Sequence, residues 1–341
     1  MEFLQNPWRG DGISADSLSQ APYPSTDSSA PEGLLARCPA AGETPLATVE
    51  AFGATLWVKD ERARMNLGSF KALGAAYVIA HTAVQTGAGD LSTALAGTTF
   101  VSSSAGNHGL SIAAGARAFG ASAVIYLSET VPEGFAERLR ALGAQVVRAG
   151  TDYQESMTAA LEAAQKNGWS VLSDTSWPGY FDIPHRLMEG YLAMAAEAVR
   201  QCPEPPTHIL LQAGVGGLAG ACAAYFRQVW GDAPQIIVVE PDRAPALYDS
   251  IQAGHSVVTT GDVSDMGRLD CKEPSLIALR GLSRDADAFV LISEEEAIAV
   301  LPELAALGLA TSTSGGAGVA ALAQMTLGTQ ARVLCILSEG A

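Results

Sequence analysis

The chain has 341 residues, with 36 acidic side chains against 20 basic ones and a net charge of −16. At 48% hydrophobic and 16% charged it can bury a large core, and its length suits two lobes better than one small module. A negative surface repels phosphate backbones, no apolar run is long enough to span a bilayer, and MEFLQNPWRGDG lacks a basic-then-apolar leader, so nucleic-acid binding, membrane insertion and secretion are not expected.

Residues 1–35 are rich in Ser, Pro, Gly and Asp, as in APYPSTDSSAPEG, and predict an extended or mobile arm. From residue 55 the pattern becomes regular. Residues 55–59 read as a strand and 70–83 as an Ala-rich helix. Strands are expected at 99–102, 123–127 and 145–148. Helices are expected at 110–119, 132–142 and 153–166. A long helix after Pro184 is expected to run to Gln201. Further strands are expected at 208–212, 236–240 and 333–337, with helices at 218–229, 294–307 and 315–327. Strands alternating with helices predict an α/β fold with largely parallel sheets, and two such sheets fit the length.

Five cysteines are scattered without a CxxC pair, which predicts reduced thiols in a cytoplasmic protein. No spacing of His and Cys suggests a metal site. Only four of the basic residues are lysines: Lys59, Lys71, Lys166 and Lys272. Arginine stays protonated, so amine chemistry must choose among these four.

Four segments carry candidate chemistry. In SFKALGAAY (69–77), Lys71 opens an apolar helix, where lost hydration is expected to lower its pKa and make it a usable nucleophile or base. A first-turn lysine snorkelling to solvent is the plainer alternative. SSSAGNHG (102–109) lies between a strand and a helix, where turn amides can bind an anion, or where Asn107 simply caps. QAGVGGLAG (212–220) also joins a strand to a helix, and its glycines let backbone approach a phosphate. Its spacing is near the dinucleotide fingerprint but lies late in the chain, and no GK[ST] follows for a Walker loop. CILSEG (335–340) ends a strand at Ser338.

The order of these segments resembles the fold type II pyridoxal-phosphate enzymes, the group of tryptophan synthase β, threonine dehydratase and serine racemase. The resemblance covers residues 42–341 and includes Glu43-Thr44-Pro45-Leu46. WVKDE (57–61), NLGSFKALGAAY (66–77), SDTSWPGY (173–180), IPHRLMEGY (183–191), VVEPD (238–242) and CKEP (271–274) are most similar to the diaminopropionate ammonia-lyase subgroup.

The resemblance implies two lobes, each a mainly parallel twisted sheet flanked by helices. Residues 36–94 plus 200–341 would form the larger, cofactor-binding domain and 95–199 the smaller. It implies pyridoxal 5′-phosphate as cofactor, held as an imine on Lys71 beside Phe70. Gly214, Val215, Gly216, Gly217 and Leu218 would bind its phosphate, Asn107 its ring hydroxyl, and Ser338 would face its ring nitrogen. A neutral hydroxyl there favours β-elimination over transamination. Freed Lys71 would remove the Cα proton. Ser103, Ser104, Ala105, Gly106 and His108 would surround the substrate carboxylate. Asp174 would meet the substrate's β-group or amine, with turn-capping as the plainer role.

Two positions depart from the subgroup. It carries Asp where this chain has Ala105, and serine racemase carries Ser. Alanine transfers no proton, so a preference for L substrates and weak racemisation are expected. Related lyases usually have a glutamate near Ser314, which leaves the leaving group open. The expected reaction is α,β-elimination on a small L-amino acid with a β-amino or β-hydroxyl group, giving a 2-oxo acid and ammonia. The alternatives are an L-threonine or L-serine dehydratase, a β-replacement synthase, or a non-catalytic binding protein on the same scaffold. The resemblance also implies a homodimer. The chain stops three residues after Ser338, so no C-terminal regulatory domain is expected.

Overall fold

The computed structural model describes residues 1–341 apart from Ala105 and the side chain of Ser17. Eleven strands among the described residues form two sheets. The larger contains β1 (Glu2–Gln5), β2 (Leu46–Ala51), β3 (Ala54–Asp60), β8 (His208–Gln212), β9 (Gln235–Pro241), β10 (Ala288–Ile292) and β11 (Arg332–Leu337). Their order is β1-β10-β9-β8-β11-β3-β2, parallel inside and antiparallel at both edges. The smaller contains β4 (Thr99–Ser103), β5 (Ser122–Leu127), β6 (Gln145–Arg148) and β7 (Ser170–Val171), all parallel in the order β6-β5-β4-β7.

The larger sheet is buried on both faces, as its apolar runs require. Alternate residues face opposite ways. Ile209, Leu211, Ile236, Val238, Phe289 and Leu291 pack into one core. Leu210, Ile237, Val239, Val290 and Ile292 pack into the other. Parallel strands place all their C-terminal ends on one edge, where open α/β sheets bind ligands. No helix among the described residues is long and apolar enough to cross a membrane.

The first 35 residues begin at the edge of the larger sheet and then pack across its helices, ending in a helix Ser29–Leu35 against Ala75–Gln85 and Leu192–Gln201. β1 pairs with β10, and buried Asn6 donates to the carbonyls of Ser283 at 2.8 Å and Ala286 at 2.7 Å. Trp8 Nε1 donates to the Ile251 carbonyl at 2.8 Å. Arg280 and Arg284 both lie over the Tyr23 ring.

Three expected helices are divided. The stretch 70–83 is a 3-10 turn, Phe70–Leu73, followed by a helix Ala75–Gln85. The long helix after Pro184 is Asp182–Gly190 and then Leu192–Gln201. The stretch 294–307 becomes Glu294–Ala299 and Leu301–Ala306, because Pro302 has no N–H with which to continue the first. The first two breaks meet each other. A Cβ on Gly190 would lie 2.3 Å from the Leu73 carbonyl oxygen, and one on Gly74 would lie 2.8 Å from Tyr191 Cε1. Only glycine at both places lets the later helices seat directly on the Lys71 turn.

Glu240, near the end of β9, is 1% exposed and accepts the N–H groups of Leu247 at 2.8 Å and Tyr248 at 2.7 Å. Burial pushes its carboxyl up to about 8, against the pull of those two amides. The folded value lies above the ordinary 4.5, so its stabilising contribution is full below about 4.5 and is lost as pH rises through about 8. Glu240→Gln should remove this dependence. Urea midpoints measured from pH 5 to 9 should shift progressively in the variant's favour; a constant difference would contradict the assignment.

Candidate active site

The approach to Lys71 is an unusual piece of backbone. Met65, Asn66 and Gly68 have φ of 50°, 58° and 84°, in the left-handed region that side chains disfavour. A buried charge cluster holds it. Arg64 Nε contacts Glu61 Oε2 at 2.7 Å, and its Nη2 contacts Glu197 Oε2 at 2.6 Å. Lys59 Nζ reaches the same Glu197 oxygen at 2.7 Å and the Thr44 carbonyl at 2.6 Å. Two cations and two anions thus balance where all four are buried. Removing one partner from such a set costs about 3–5 kcal/mol.

The turn is then stitched to the end of β11. Phe70 N donates to the Ser338 carbonyl at 3.1 Å, Gly340 N donates to Gly68 at 3.1 Å, and Ser69 pairs with Glu339. Lys71 Nζ emerges beside the Phe70 ring, 5.4 Å from its centroid, and bonds to Asp174 Oδ2. Both side chains retain about a fifth to a quarter of their exposure, 24% and 20%. Sequence reasoning expected a lowered lysine pKa. Burial acts in that direction and is the largest single influence, but the Asp174 charge and hydrogen bond, with Tyr191 and Cys271, together hold Lys71 above its ordinary value. Asp174 shows the converse. Burial opposes its charge, but Lys71 holds its carboxyl well below the usual range.

The other lysines are accounted for. Lys59 lies in the buried cluster and Lys166 is exposed. Lys272 Nζ bonds to the Arg243 and Asp262 carbonyls and to Asp270 at 2.7 Å, so it ties a loop together.

The glycine turn follows β8 and leads the helix Gly217–Trp230. Gly216 has φ of 96°, and a Cβ there would meet Ala278 Cβ at 2.9 Å. A Cβ on Gly214 would meet Cys271 Sγ at 3.0 Å and the Arg268 carbonyl at 3.1 Å. Among the described residues no backbone carbonyl accepts from the amides of Gly216, Gly217 or Leu218. A helix start with free N–H groups and a positive dipole end suits a phosphate monoester. Cys271, beside this turn, has its thiol pushed up to about 12 by burial and then by the Asp174 charge. It is not a thiolate nucleophile. All five cysteines are free.

The SSSAGNHG segment leaves β4 and opens the helix Asn107–Ala118. Ser103 is 4% exposed, and Ser104 Oγ accepts the amides of Gly106 and Gly109, both at 3.2 Å. Ser104 is therefore also a helix cap. Ala105 lies outside the described residues. His108 donates from Nε2 to the Leu172 carbonyl at 3.0 Å, because a carbonyl can only accept. Its Nδ1 is then an unprotonated acceptor, and burial keeps the ring neutral by lowering its pKa.

Asp174 follows β7. Tyr180 steadies that loop, its hydroxyl accepting from Ser173 N at 3.0 Å and donating to the Val171 carbonyl at 2.9 Å, with Trp177 stacked on its ring at 4.3 Å.

Two residues escaped the sequence reading. Tyr191 is 1% exposed, packs edge-on against Phe70 at 4.9 Å and lies next to Gly217 and the Lys71 turn. Its GY pairing was visible, but a helix interior gave no reason to assign its hydroxyl. Glu339 was hidden as the neighbour of Ser338. Its carboxylate accepts from Asn107 Nδ2 and from Ser312 Oγ, both at 2.5 Å. Ser314, where a glutamate was expected, accepts from Arg268 N at 3.1 Å. The carboxylate on this face comes from Glu339 instead.

Ser69 Oγ, Tyr191 Oη and His108 Nδ1 are buried without a hydrogen-bond partner. Orphaned polar atoms are uncommon in native interiors; these three belong to residues beside Lys71 or electrostatically coupled to it, while Ser102 Oγ, Gln212 Oε1 and Arg332 Nε are also unpartnered. The site thus joins an amine, backbone amides that no carbonyl claims, a side-chain amide and unpartnered polar atoms. A phosphorylated aldehyde cofactor fits that set.

Comparison with known proteins agrees. A family model described as pyridoxal-phosphate dependent enzyme matches residues 38–339. Diaminopropionate ammonia-lyase of Escherichia coli (strain K12) is 37% identical over 260 residues, covering 72% of this chain and 64% of that protein, a little under two thirds of its length. L-threonine ammonia-lyase of Geobacter sulfurreducens is 28% identical over 242 residues, covering 70% and 58%. The crystal structure of the Escherichia coli diaminopropionate ammonia-lyase, in complex with an aminoacrylate-PLP azomethine reaction intermediate, superposes with a TM-score of 0.86 at 29% identity. It covers 99% of this chain and 93% of that one. With a lysine, a glycine turn and an asparagine gathered at one cleft, and a family model spanning both sheets, the chain belongs to the pyridoxal-phosphate dependent enzymes.

Proposed function

We propose that this enzyme eliminates the β-amino group of a small L-amino acid, with 2,3-diaminopropionate as the favoured substrate. The carrying observation is the contact of Lys71 with Asp174.

When bound, pyridoxal phosphate supplies an aldehyde that takes up amines and an electron-poor ring that stabilises negative charge at Cα. Lys71 Nζ would hold that aldehyde, and the amides of Gly214–Leu218 would hold the phosphate. Asn107 would meet the ring hydroxyl, and Ser338 would face the ring nitrogen. Displaced by the substrate amine, Lys71 acts as base toward the Cα proton. Ser103, Ser104, Gly106 and His108 would surround the substrate carboxylate.

Asp174 selects the leaving group. It is held strongly ionised by a cation, so a β-ammonium group can replace Lys71 as its partner. That ammonium departs as neutral ammonia without needing an acid. A β-hydroxyl must receive a proton to leave, and an Asp with a depressed pKa is a poor donor. The loss of the Cα proton and of ammonia yields an enamine, which tautomerises and takes up water to give the 2-oxo acid and a second ammonia.

A panel of L- and D-amino acids bearing β-amino, β-hydroxyl, β-thiol and β-acyloxy groups tests this through release of 2-oxo acid and ammonia. L-2,3-diaminopropionate should have the highest kcat/KM, with its D form lower by at least about 10²-fold, since a missing proton-transfer group costs about that much. Faster turnover of L-threonine or L-serine would favour the dehydratase reading, and a trapped thiol adduct a β-replacement synthase. In the same reading residues 36–94 with 200–341 form the larger domain and 95–199 the smaller. The enzyme is a cytoplasmic homodimer, an assignment that light scattering tests directly.

A further inference from the structure

Glu339 follows the last strand of the larger sheet, while Asn107 opens a helix beside the smaller one. One carboxylate, 8% exposed, connects them. Its Oε2 accepts from Asn107 Nδ2 at 2.5 Å and its Oε1 from Ser312 Oγ at 2.5 Å. Arg268 Nε approaches Oε2 at 3.6 Å. Ser312 is itself fixed, because its Oγ accepts the Gly315 amide at 2.9 Å. The Glu339 backbone is fixed too, its carbonyl accepting from Thr311 Oγ1 at 2.6 Å.

A primary amide can rotate to exchange its oxygen and nitrogen. Here it cannot, because both Glu339 carboxyl oxygens already accept and would repel the amide oxygen. Glu339 therefore decides which way the Asn107 amide points. One N–H is taken by the carboxylate. Among the described residues the other has no partner.

We propose that Glu339 is a positioning residue: it locks the Asn107 amide so that an N–H is presented to the cofactor's ring hydroxyl, and it ties the start of that helix to the end of β11. This rests on the reading that Asn107 meets the ring hydroxyl. Glu339 acts through Asn107 and touches no reacting atom.

The test is retention of pyridoxal phosphate by the purified holoenzyme after gel filtration and dilution, followed by its absorbance. Circular dichroism and melting temperature report the fold. Glu339→Ala and Asn107→Ala should each speed cofactor release by about 10-fold, the scale of one charge-assisted hydrogen bond. The double variant should release no faster than Asn107→Ala alone, because both changes remove one interaction. Ser312→Ala, which takes away the partner of the other oxygen, should stay within about 3-fold of wild type. Glu339→Asp keeps the charge but withdraws it by one methylene, and should act in the direction of the alanine change if that variant does not fold. Unchanged release in folded Glu339 variants would overturn the proposal. So would additive effects in the double variant, which would mean that Glu339 acts independently of Asn107. Unchanged release in Asn107→Ala would overturn both this proposal and the ring-hydroxyl reading.

Discussion

Replacing Lys71 with alanine should lower kcat/KM by at least about 10⁴-fold, because one group supplies both the cofactor linkage and the proton acceptor. The absorption band of lysine-bound cofactor should disappear with it. No other amine can substitute. Lys59 Nζ makes three hydrogen bonds inside a buried cluster, to Thr44, Glu197 and Gln201. Lys272 is tied to two carbonyls and Asp270. Lys166 is exposed near the end of the helix Tyr153–Asn167. The variant loses the counter-ion of Asp174, but both side chains keep a fifth to a quarter of their exposure, so water can solvate the carboxylate left behind and the fold should survive. Its melting temperature is the control. Retained turnover in a folded Lys71→Ala protein would overturn the mechanism as a whole.

The sequence made the strands at the centre of the sheets legible because burial on both faces leaves long apolar runs. The expected strands at 145–148 and 208–212 coincide with β6 and β8. β1, β2 and β7 were not expected. β1 and β7 are short, and β2 lies at an edge, so none carries a strong apolar signal. β10 was missed although it is buried throughout, because AFVLI is as compatible with helix as with strand. Helix breaks were the other blind spot. Gly74 and Gly190 look like tolerated glycines in helical stretches. Their reason is tertiary, a backbone approach between segments more than a hundred positions apart.

The same distinction runs through the site. Lys71, Asn107 and the glycine turn each lie in a local pattern that follows or opens an element, so motif order could single them out. Asp174 was found through its motif, but its charge state was not. A lysine in an apolar setting reads as depressed until its counter-ion is placed beside it. Glu339 and Tyr191 have no local signature. Their roles come from partners on Ser312, Asn107, Phe70 and Gly74, which only the folded chain assembles.

Asp174→Asn should separate two properties that a structural role would move together. The carboxamide fills nearly the same volume but carries no charge. In the wild type, burial lowers the Lys71 pKa, and Asp174 together with Tyr191 and Cys271 more than reverses this, leaving it above the ordinary 10.5. Without the charge, the largest influence opposing burial is removed and the value should fall. At neutral pH a larger fraction of Lys71 is then the free amine. Apoenzyme from the variant should react with an aldehyde or an amine-acylating reagent faster than wild-type apoenzyme, with a titration midpoint moved to lower pH. Turnover should move the other way. Loss of the partner for a β-ammonium group should cut kcat/KM for L-2,3-diaminopropionate by about 10²-fold, the scale of a lost charged hydrogen bond in a site shielded from water. The loss for L-serine should be smaller, because a hydroxyl never had that ionic partner. If lysine reactivity and turnover fell together, or if both substrates lost equally, Asp174 would be holding the loop after β7 and not selecting the leaving group. A more reactive lysine in a less active enzyme is the outcome that only the electrostatic role produces.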